Sequence, residues 1–269
     1  MTTLPDLDAY FERIRWAGET APTLDTLSRL LAAHMAHIPF ENLDVLLGRP
    51  VRLDLGSIEA KLVRARRGGY CFEHATLFAA VLEQLGFHPA RHAARVVLFV
   101  PRDAASRTHM FLSVPLAEGV YVVDPGFGAL APSTPLPLVE AAVKPREGAT
   151  HWMVRDGPVW VMRAKRDGAF ADAWVSTLEP ENAIDFEIAN HFAATHPASP
   201  FVNRIMMRAL TGDGHVAVMN RDLTIWHGGV AHGTQLADRA ALRSLLVEHF
   251  GFDLPESERI RVPAIPEWA

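Results

Sequence analysis

The stretch GGYCFEHATLFAAVLEQLG, Gly68 to Gly86, reads as a turn followed by a helix that has almost no polar side. Gly68 and Gly69 end whatever precedes them, Gly86 is the C-terminal stop, and the spacing predicts a helix from Cys71 to Leu85. Phe72, Phe78, Ala79, Val81, Leu82 and Leu85 surround it, so it belongs at the centre of its domain. Cys71 falls in the first turn, where unpaired N–H groups and the positive end of the helix dipole favour a thiolate. Taken alone, a single cysteine is as readily a small core hydrophobe. A thiol with the free pKa of about 8.5 is mostly protonated at neutral pH, so a nucleophile needs such help.

Upstream, Leu24, Leu27, Leu30, Leu31 and Met35 recur at helical spacing behind Thr23, an N-cap preceded by Pro22. A second helix starts near Ser57, carries Ile58, Leu62 and Ala65 on one side, and stops at Gly68 and Gly69. From about His92 the period changes to strands. Arg95 to Val100 is valine-rich, and Met110, Leu112 and Val114 alternate with His109, Phe111 and Ser113. Turn signals at Asp156-Gly157 and Asp167-Gly168 suit an antiparallel meander closing toward a barrel through about Leu178. The Pro-rich Ala131 to Leu138 reads as an irregular loop. Beyond Asn190 the pattern mixes a strand pair around Arg221-Asp222 with a helix from about Gln235 to Phe250, stopped by Gly251.

With 269 residues, and about 150 residues per domain as the usual size, the chain has room for one large core or two to three small ones. At 49% hydrophobic residues, 21% charged and a net charge of -5, nothing asks for nucleic acid or an anionic membrane as partner. One cysteine excludes an internal disulfide and thiolate-rich zinc sites. Met1 to Tyr10 lacks the basic-then-apolar pattern of a secretory signal, and no apolar run approaches the roughly 18 residues of a membrane span. A cytoplasmic enzyme or binding protein acting on a small molecule is the expectation.

A nucleophile needs a base and an orienting partner. If Met110–Val114 and Gly119–Val123 form a hairpin around Pro115 to Glu118, Val114 faces Gly119, Leu112 faces Tyr121 and His109 faces Asp124. The pair is conditional on that register, and a strand-end His-Asp pair can equally be a solvated contact. Cys71, His109 and Asp124 together would make nucleophile, base and orienter for attack on an acyl carbon. Asp124-Pro-Gly-Phe-Gly128 adds a glycine-rich turn whose N–H groups could meet an oxyanion or a phosphate.

Other features say less. His34 and His37 share a helix face, Pro89 separates His88 from His92, and no His-Glu-x-x-His occurs, so no metal is expected. Lys61, Arg64, Arg66 and Arg67 form a basic cluster that is either a solvated helix face or a phosphate contact. Trp152, Trp160 and Trp174 read as core of the β region.

The motif RRGGYCFEHA, Arg66 to Ala75, resembles the active-site signature of the arylamine N-acetyltransferases, with THMFLSV (Thr108 to Val114) and VDPGFG (Val123 to Gly128) in matching order. The resemblance extends to IPFENLDVLLGRPV from Ile38 and THPASPF from Thr195, and so over nearly the whole chain. It implies an α+β fold in three parts. These are a helical bundle over 1–89 bearing the cysteine, a central antiparallel β-barrel over 90–190 bearing the histidine and aspartate, and a C-terminal α/β lid over 191–269, around a cysteine-protease-like Cys-His-Asp core.

The implied reaction is ping-pong: Cys71 takes acetyl from acetyl-CoA, a co-substrate, and a small aromatic amine or hydrazine collects it. By family position Phe40 and Phe127 would line the acceptor pocket, and Gly126, Thr108 and Phe201 would touch CoA. No metal is implied, and a homo-oligomer stays open. The chain departs from the family where Asn is usual four residues after the cysteine; here stands Ala75, preceded by His74. Three alternatives remain: an amide synthase of the same family taking a larger carrier-bound acyl group, a protease- or transglutaminase-like enzyme, and a non-catalytic binding or thiol-sensing protein.

Overall fold

The structure, a computed structural model, describes residues 4–139, 150–166 and 168–269. Helix α1 is Leu7–Ile14, α2 Leu24–His37, α3 Leu43–Leu46, α4 Leu55–Ile58 and α5 Cys71–Gln84. Thr23 caps α2 as expected, its hydroxyl accepting from the Thr26 N–H at 3.2 Å. The helix expected near Ser57 becomes a π-helix over Glu59–Arg64. Arg13 of α1 closes that segment, donating to the carbonyls of Leu62 at 2.9 Å and Arg66 at 3.0 Å.

Strands β1 (Ala90–Val96), β2 (His109–Leu116), β3 (Gly119–Val123), β4 (Leu136–Pro137), β5 (His151–Asp156), β6 (Val159–Arg166) and β7 (Ala169–Ser176) form one antiparallel sheet in the order β4-β3-β2-β1-β7-β6-β5. Its edge strands β4 and β5 lie side by side, so the sheet is a nearly closed barrel. Strand β1 ends at Val96 rather than reaching Val100, because the chain leaves the sheet toward Pro101 and Phe99 is exposed. Within the expected loop, Leu136 and Pro137 pair with Val122 and Tyr121. The turn after β5 sits at Gly157-Pro158, one residue beyond the signal; of the second signal, Asp167 lies outside the described residues.

Helix α6 (Ala183–Thr195) and α7 (Pro200–Asn203) lead to a second sheet, β8 (Met206–Thr211), β9 (Gly214–Met219), β10 (Asp222–His227) and β11 (Val230–Gln235), in the order β11-β10-β9-β8. The expected strand pair is thus half of a four-stranded sheet. Helix α8 (Arg239–Leu245) starts four residues later than expected, since Gln235 ends β11 and Asp238 supplies the cap to Ala241 at 2.8 Å.

Strand β2 is buried on both faces, and this fixes the site. Met110, Leu112 and Val114 pack with α2 and α5 in the helical core, whereas Phe111 points into the barrel with Val122, Met162 and Trp174. Fully buried Leu77, Phe78 and Leu82 of α5 each contribute about 1.5–3 kcal/mol to that seam. Phe186 and Ala193 of α6 complete the helical core, and the second sheet packs its own core against α8 and Trp268. Trp160 and Trp174 are barrel core, while Trp152, on edge strand β5, is half-buried beneath Arg163.

Candidate active site

Cys71 is the first residue of α5 and is buried. The turn before it is held by close backbone packing. A β-carbon on Gly68 would lie 2.1 Å from the Pro39 carbonyl oxygen, the Gly69 N–H donates to that oxygen at 3.2 Å, and the Glu41 N–H donates to the Gly69 carbonyl at 2.8 Å. These glycines allow close approach of two backbones rather than motion. Glu73 reaches back to accept from the Tyr70 N–H at 3.1 Å and pairs with Lys61 at 2.8 Å.

Lys61 also meets Asp44 at 2.8 Å, and Arg67 joins Glu41 and Asp44, both at 2.7 Å. Burial opposes the Lys61 charge, but Glu73, Glu41 and Asp44 overcome it and raise the ammonium pKa. Two members of the basic cluster therefore spend their charge inside, beneath the cysteine helix; Arg64 is exposed and paired with Asp6 and Glu59.

The β2–β3 hairpin turns on two residues, Ala117-Glu118, with Leu116 opposite Gly119, whose φ of 138° suits glycine. Leu112 consequently faces Val123 and Val114 faces Tyr121, a register two residues from the expected one. His109 and Asp124 are diagonal neighbours instead of direct ones. A shift of two keeps every side chain on its face, so the ring still meets the carboxylate: His109 Nε2 donates to Asp124 Oδ2 at 2.8 Å. Trp174 Nε1 donates to the same oxygen at 3.0 Å, and the Gly126 N–H to Oδ1 at 3.4 Å.

With Nε2 committed to Asp124, Nδ1 is the nitrogen left to serve Cys71, which is near enough to act on the charge of the ring. Burial works against the imidazolium, but the charge and hydrogen bond of Asp124, then those of Cys71, raise the His109 pKa to about 10. The Cys71 Sγ lies 3.8 Å from the Thr108 carbonyl oxygen.

Gly126 presses on the cysteine: a β-carbon there would lie 2.6 Å from the Cys71 Cα. The Phe127 ring stands 4.8 Å from the His109 ring, and Phe201 lies 5.2 Å from Tyr70 and 6.3 Å from Phe40. Of the five further residues named by the resemblance, Thr108 and Gly126 lie against Cys71, Phe127 lies against His109, and Phe40 and Phe201 lie against each other. The Gly126 N–H, expected to face an oxyanion or phosphate, is used by Asp124.

Sequence reasoning missed several partners. Trp174 reaches Asp124 through β1–β7 pairing, for which no local signal exists. Glu73 could have been found as the acidic third residue of a capped helix. His74 and His34 form a buried chain in which Tyr10 donates to His34 Nδ1 at 2.8 Å, His34 Nε2 meets His74 Nδ1 at 2.9 Å, and His74 Nε2 meets the Pro39 carbonyl at 3.2 Å. Ala75 is an apolar core residue beside this chain. His92 bonds Ser113 and the Glu179 carbonyl inside the protein.

A cleft of about 600 Å³ on the barrel flank is lined by Arg95, Arg102, Arg107 and Glu179 and does not include Cys71. Its arginines are already bonded, Arg102 to Asp156, Arg107 to Glu181 and Arg95 to the Ala105 carbonyl. Among the described residues no helix is long and apolar enough to cross a membrane.

The family model described as N-acetyltransferase matches residues 23–259. The chain is 40% identical over 256 residues to the arylamine N-acetyltransferase of Mycobacterium tuberculosis, covering 93% of this chain and 90% of the relative. Its identity to the Escherichia coli arylamine N-acetyltransferase is 36% over 256 residues, covering 94% and 91%. The solved arylamine N-acetyltransferase of Mycobacterium marinum in complex with CoA superposes with a TM-score of 0.87 at 35% identity, covering 94% of each chain.

Proposed function

Because the chain belongs to the arylamine N-acetyltransferase family, we propose that it moves acetyl from acetyl-CoA to aromatic amines or hydrazines through an acetyl-cysteine at Cys71. The observation that carries the reading is the 2.8 Å bond between Asp124 and His109, with Cys71 close enough to the same ring to act on its charge. The CoA complex of the Mycobacterium marinum relative supports the donor, and the names of the relatives support the acceptor class.

In the first half-reaction Cys71 Sγ, its proton held by His109, attacks the acetyl carbonyl carbon. The carbon–sulfur bond to CoA breaks, and His109 returns the proton to the departing sulfur. In the second half the amine nitrogen attacks the acetyl carbon, its proton passes to His109, and Cys71 leaves as the thiol. One thioester replaces another in the first half, so the amide formed in the second drives the sequence. Asp124 fixes the tautomer and orientation of the ring, as in other triads. The first amides of α5 have no intrahelical acceptor and lie at the positive end of the helix, where an oxyanion would gather charge.

Phe40 and Phe127 would hold the acceptor ring, and Thr108, Gly126 and Phe201 the donor's thioester arm. The proposal includes a cytoplasmic location, because a catalytic thiol has to stay reduced.

The test is to mix the protein with acetyl-CoA alone and follow intact mass with peptide mapping, for wild type and Cys71→Ala. One acetyl on Cys71, absent from the variant, is the expected result. A folded wild type that stays unmodified would overturn it.

A further inference from the structure

Tyr10 of α1, His34 of α2 and His74 of α5 form a buried chain that the acetyl-transfer steps do not use. Its links are 2.8 Å from the Tyr10 hydroxyl to His34 Nδ1, 2.9 Å from His34 Nε2 to His74 Nδ1, and 3.2 Å from His74 Nε2 to the Pro39 carbonyl oxygen. Burial, with the cations Lys61 and Arg13 adding to it, lowers the His74 pKa to about 4, and burial, His74 and Arg13 lower that of His34, so at neutral pH each ring carries a single N–H. A carbonyl only accepts, so the His74 hydrogen is on Nε2 and its Nδ1 is bare. His34 must then donate from Nε2, and its own bare Nδ1 takes the Tyr10 hydroxyl hydrogen. The carbonyl at one end dictates every hydrogen in the chain, and all of them point toward Pro39.

The oxygen that receives this chain also accepts from the Gly69 N–H at 3.2 Å. Gly69 precedes Cys71 and His74 follows it within the first turn of α5, so one carbonyl ties the backbone on both sides of the nucleophile. A third contact comes from the barrel. A β-carbon on Gly126 would lie 2.6 Å from the Cys71 Cα and 3.2 Å from the His74 Cβ, so the turn leading out of Asp124 rests on both residues. His74 therefore touches the backbone that carries the sulfur and the backbone that carries the partner of His109. We propose that His74 is a positioning residue, holding Cys71 against His109 through its bond to the Pro39 carbonyl, and that Tyr10 and His34 serve by fixing the tautomer that makes this bond. The proposal rests on the acetyl-transfer reading. Misplacing a reacting group by about 1 Å costs about a hundredfold in rate, so partial release of the start of α5 should cost about tenfold.

The test separates the two ring nitrogens of His74. The amide of Gln reaches as far as Nε2, that of Asn only as far as Nδ1. His74→Gln therefore keeps a donor for Pro39 and gives up the acceptor for His34, and His74→Asn does the reverse. Each leaves one polar group of the chain unmet, so both should lose stability. Their rates should part: single-turnover acetylation of Cys71 falls about tenfold or more in His74→Asn, with half-saturation by acetyl-CoA within about twofold of wild type, and His74→Gln recovers to within about threefold. Equal losses in the two variants would reduce His74 to packing, and an undiminished rate in His74→Asn would leave it no role; either overturns the proposal. Should His74→Asn not fold, NMR of the ring nitrogens in histidine-labelled wild type decides. His34 and His74, assigned by the signals lost in His34→Gln and His74→Gln, should both carry hydrogen on Nε2 and none on Nδ1, and a bare His74 Nε2 overturns the proposal. Alkylation of Cys71, the only cysteine, by iodoacetamide should follow the same ranking without any acetyl donor. A wild type that is alkylated but never acetylated counts against the acetyl-transfer reading instead, and the alkylation ranking still tests His74.

Discussion

Gly126 stands so close to Cys71 that a β-carbon on it would lie 2.6 Å from the cysteine Cα and 3.2 Å from its carbonyl oxygen. Both neighbours are backbone at the start of α5, which Glu73 and the buried His74 hold in place. Gly126→Ala must therefore push the β3 exit and Cys71 apart. The expected outcome is a destabilisation of about 1–3 kcal/mol with a fall of about a hundredfold or more in Cys71 acetylation rate. Urea denaturation together with single-turnover acetylation checks it; a normal rate would mean that the spacing of sulfur and His109 tolerates the shift.

Asp124 Oδ2 is shared by His109 and Trp174. Trp174→Phe retains the ring packed on Phe111 but removes one donor, and should slow acetylation by about ten- to a hundredfold, the equivalent of one hydrogen bond to a charged group. Asp124→Asn removes control of the tautomer and should cost about 10⁴-fold by analogy with other triads. Stopped-flow acetylation of the two variants gives the ranking, and a Trp174→Phe loss as large as that of Asp124→Asn would make the indole an equal partner.

The comparison of β2 and β3 explains why so much of this site is legible in the chain. Alternation puts His109 and Asp124 on one face whatever the even register, so their contact survives a two-residue error in the hairpin. The turn itself was the unreadable part, since Ala117-Glu118 carries neither Asn-Gly nor Asp-Gly and only Gly119 marks it. Helix α5 announces itself by composition. Lys61 turning inward does not, because a helical pattern gives no sign that Glu59–Arg64 will adopt π geometry around a buried ion network. Trp174 and His74 depend on contacts 50 and 40 residues away, which no local pattern encodes.

Lys61 is the cation shared by Glu73 and Asp44, with Glu41 at 4.0 Å. Lys61→Met would leave these three buried carboxylates with Arg67 on Glu41 and Asp44, Arg49 on Asp44 at 3.6 Å, and no cation on Glu73. Breaking a buried network from one side costs about 3–5 kcal/mol, so a loss of that size is expected in chemical denaturation. Adding Glu73→Gln to Lys61→Met should recover part of it by removing one stranded charge. A double variant less stable than Lys61→Met would place the value of Glu73 in its bond to the Tyr70 N–H rather than in the ion pair.

Titration of the two sets of histidines pulls stability in opposite directions. His109, raised from 6.5 to about 10 despite burial by Asp124 and Cys71, binds a proton more tightly in the folded protein. Its contribution is complete below about pH 6.5 and is lost as pH rises toward about 10. His74, lowered by burial to about 4, and His34, also lowered by burial and by the neighbouring His74 charge, must stay neutral in the fold. For these the folded state binds fewer protons than the unfolded one, so stability falls as pH drops from 6.5 toward 4, by up to about 1.4 kcal/mol per pH unit per group. Thermal unfolding between pH 4 and 10 should show both flanks. In His109→Gln the alkaline flank should flatten and the acid flank persist; in His34→Gln/His74→Gln the acid flank should flatten and the alkaline one persist. An acid flank unchanged in that double variant would assign it to the carboxylates, and the Tyr10–His34–His74–Pro39 chain would then hold the start of α5 without sensing protons.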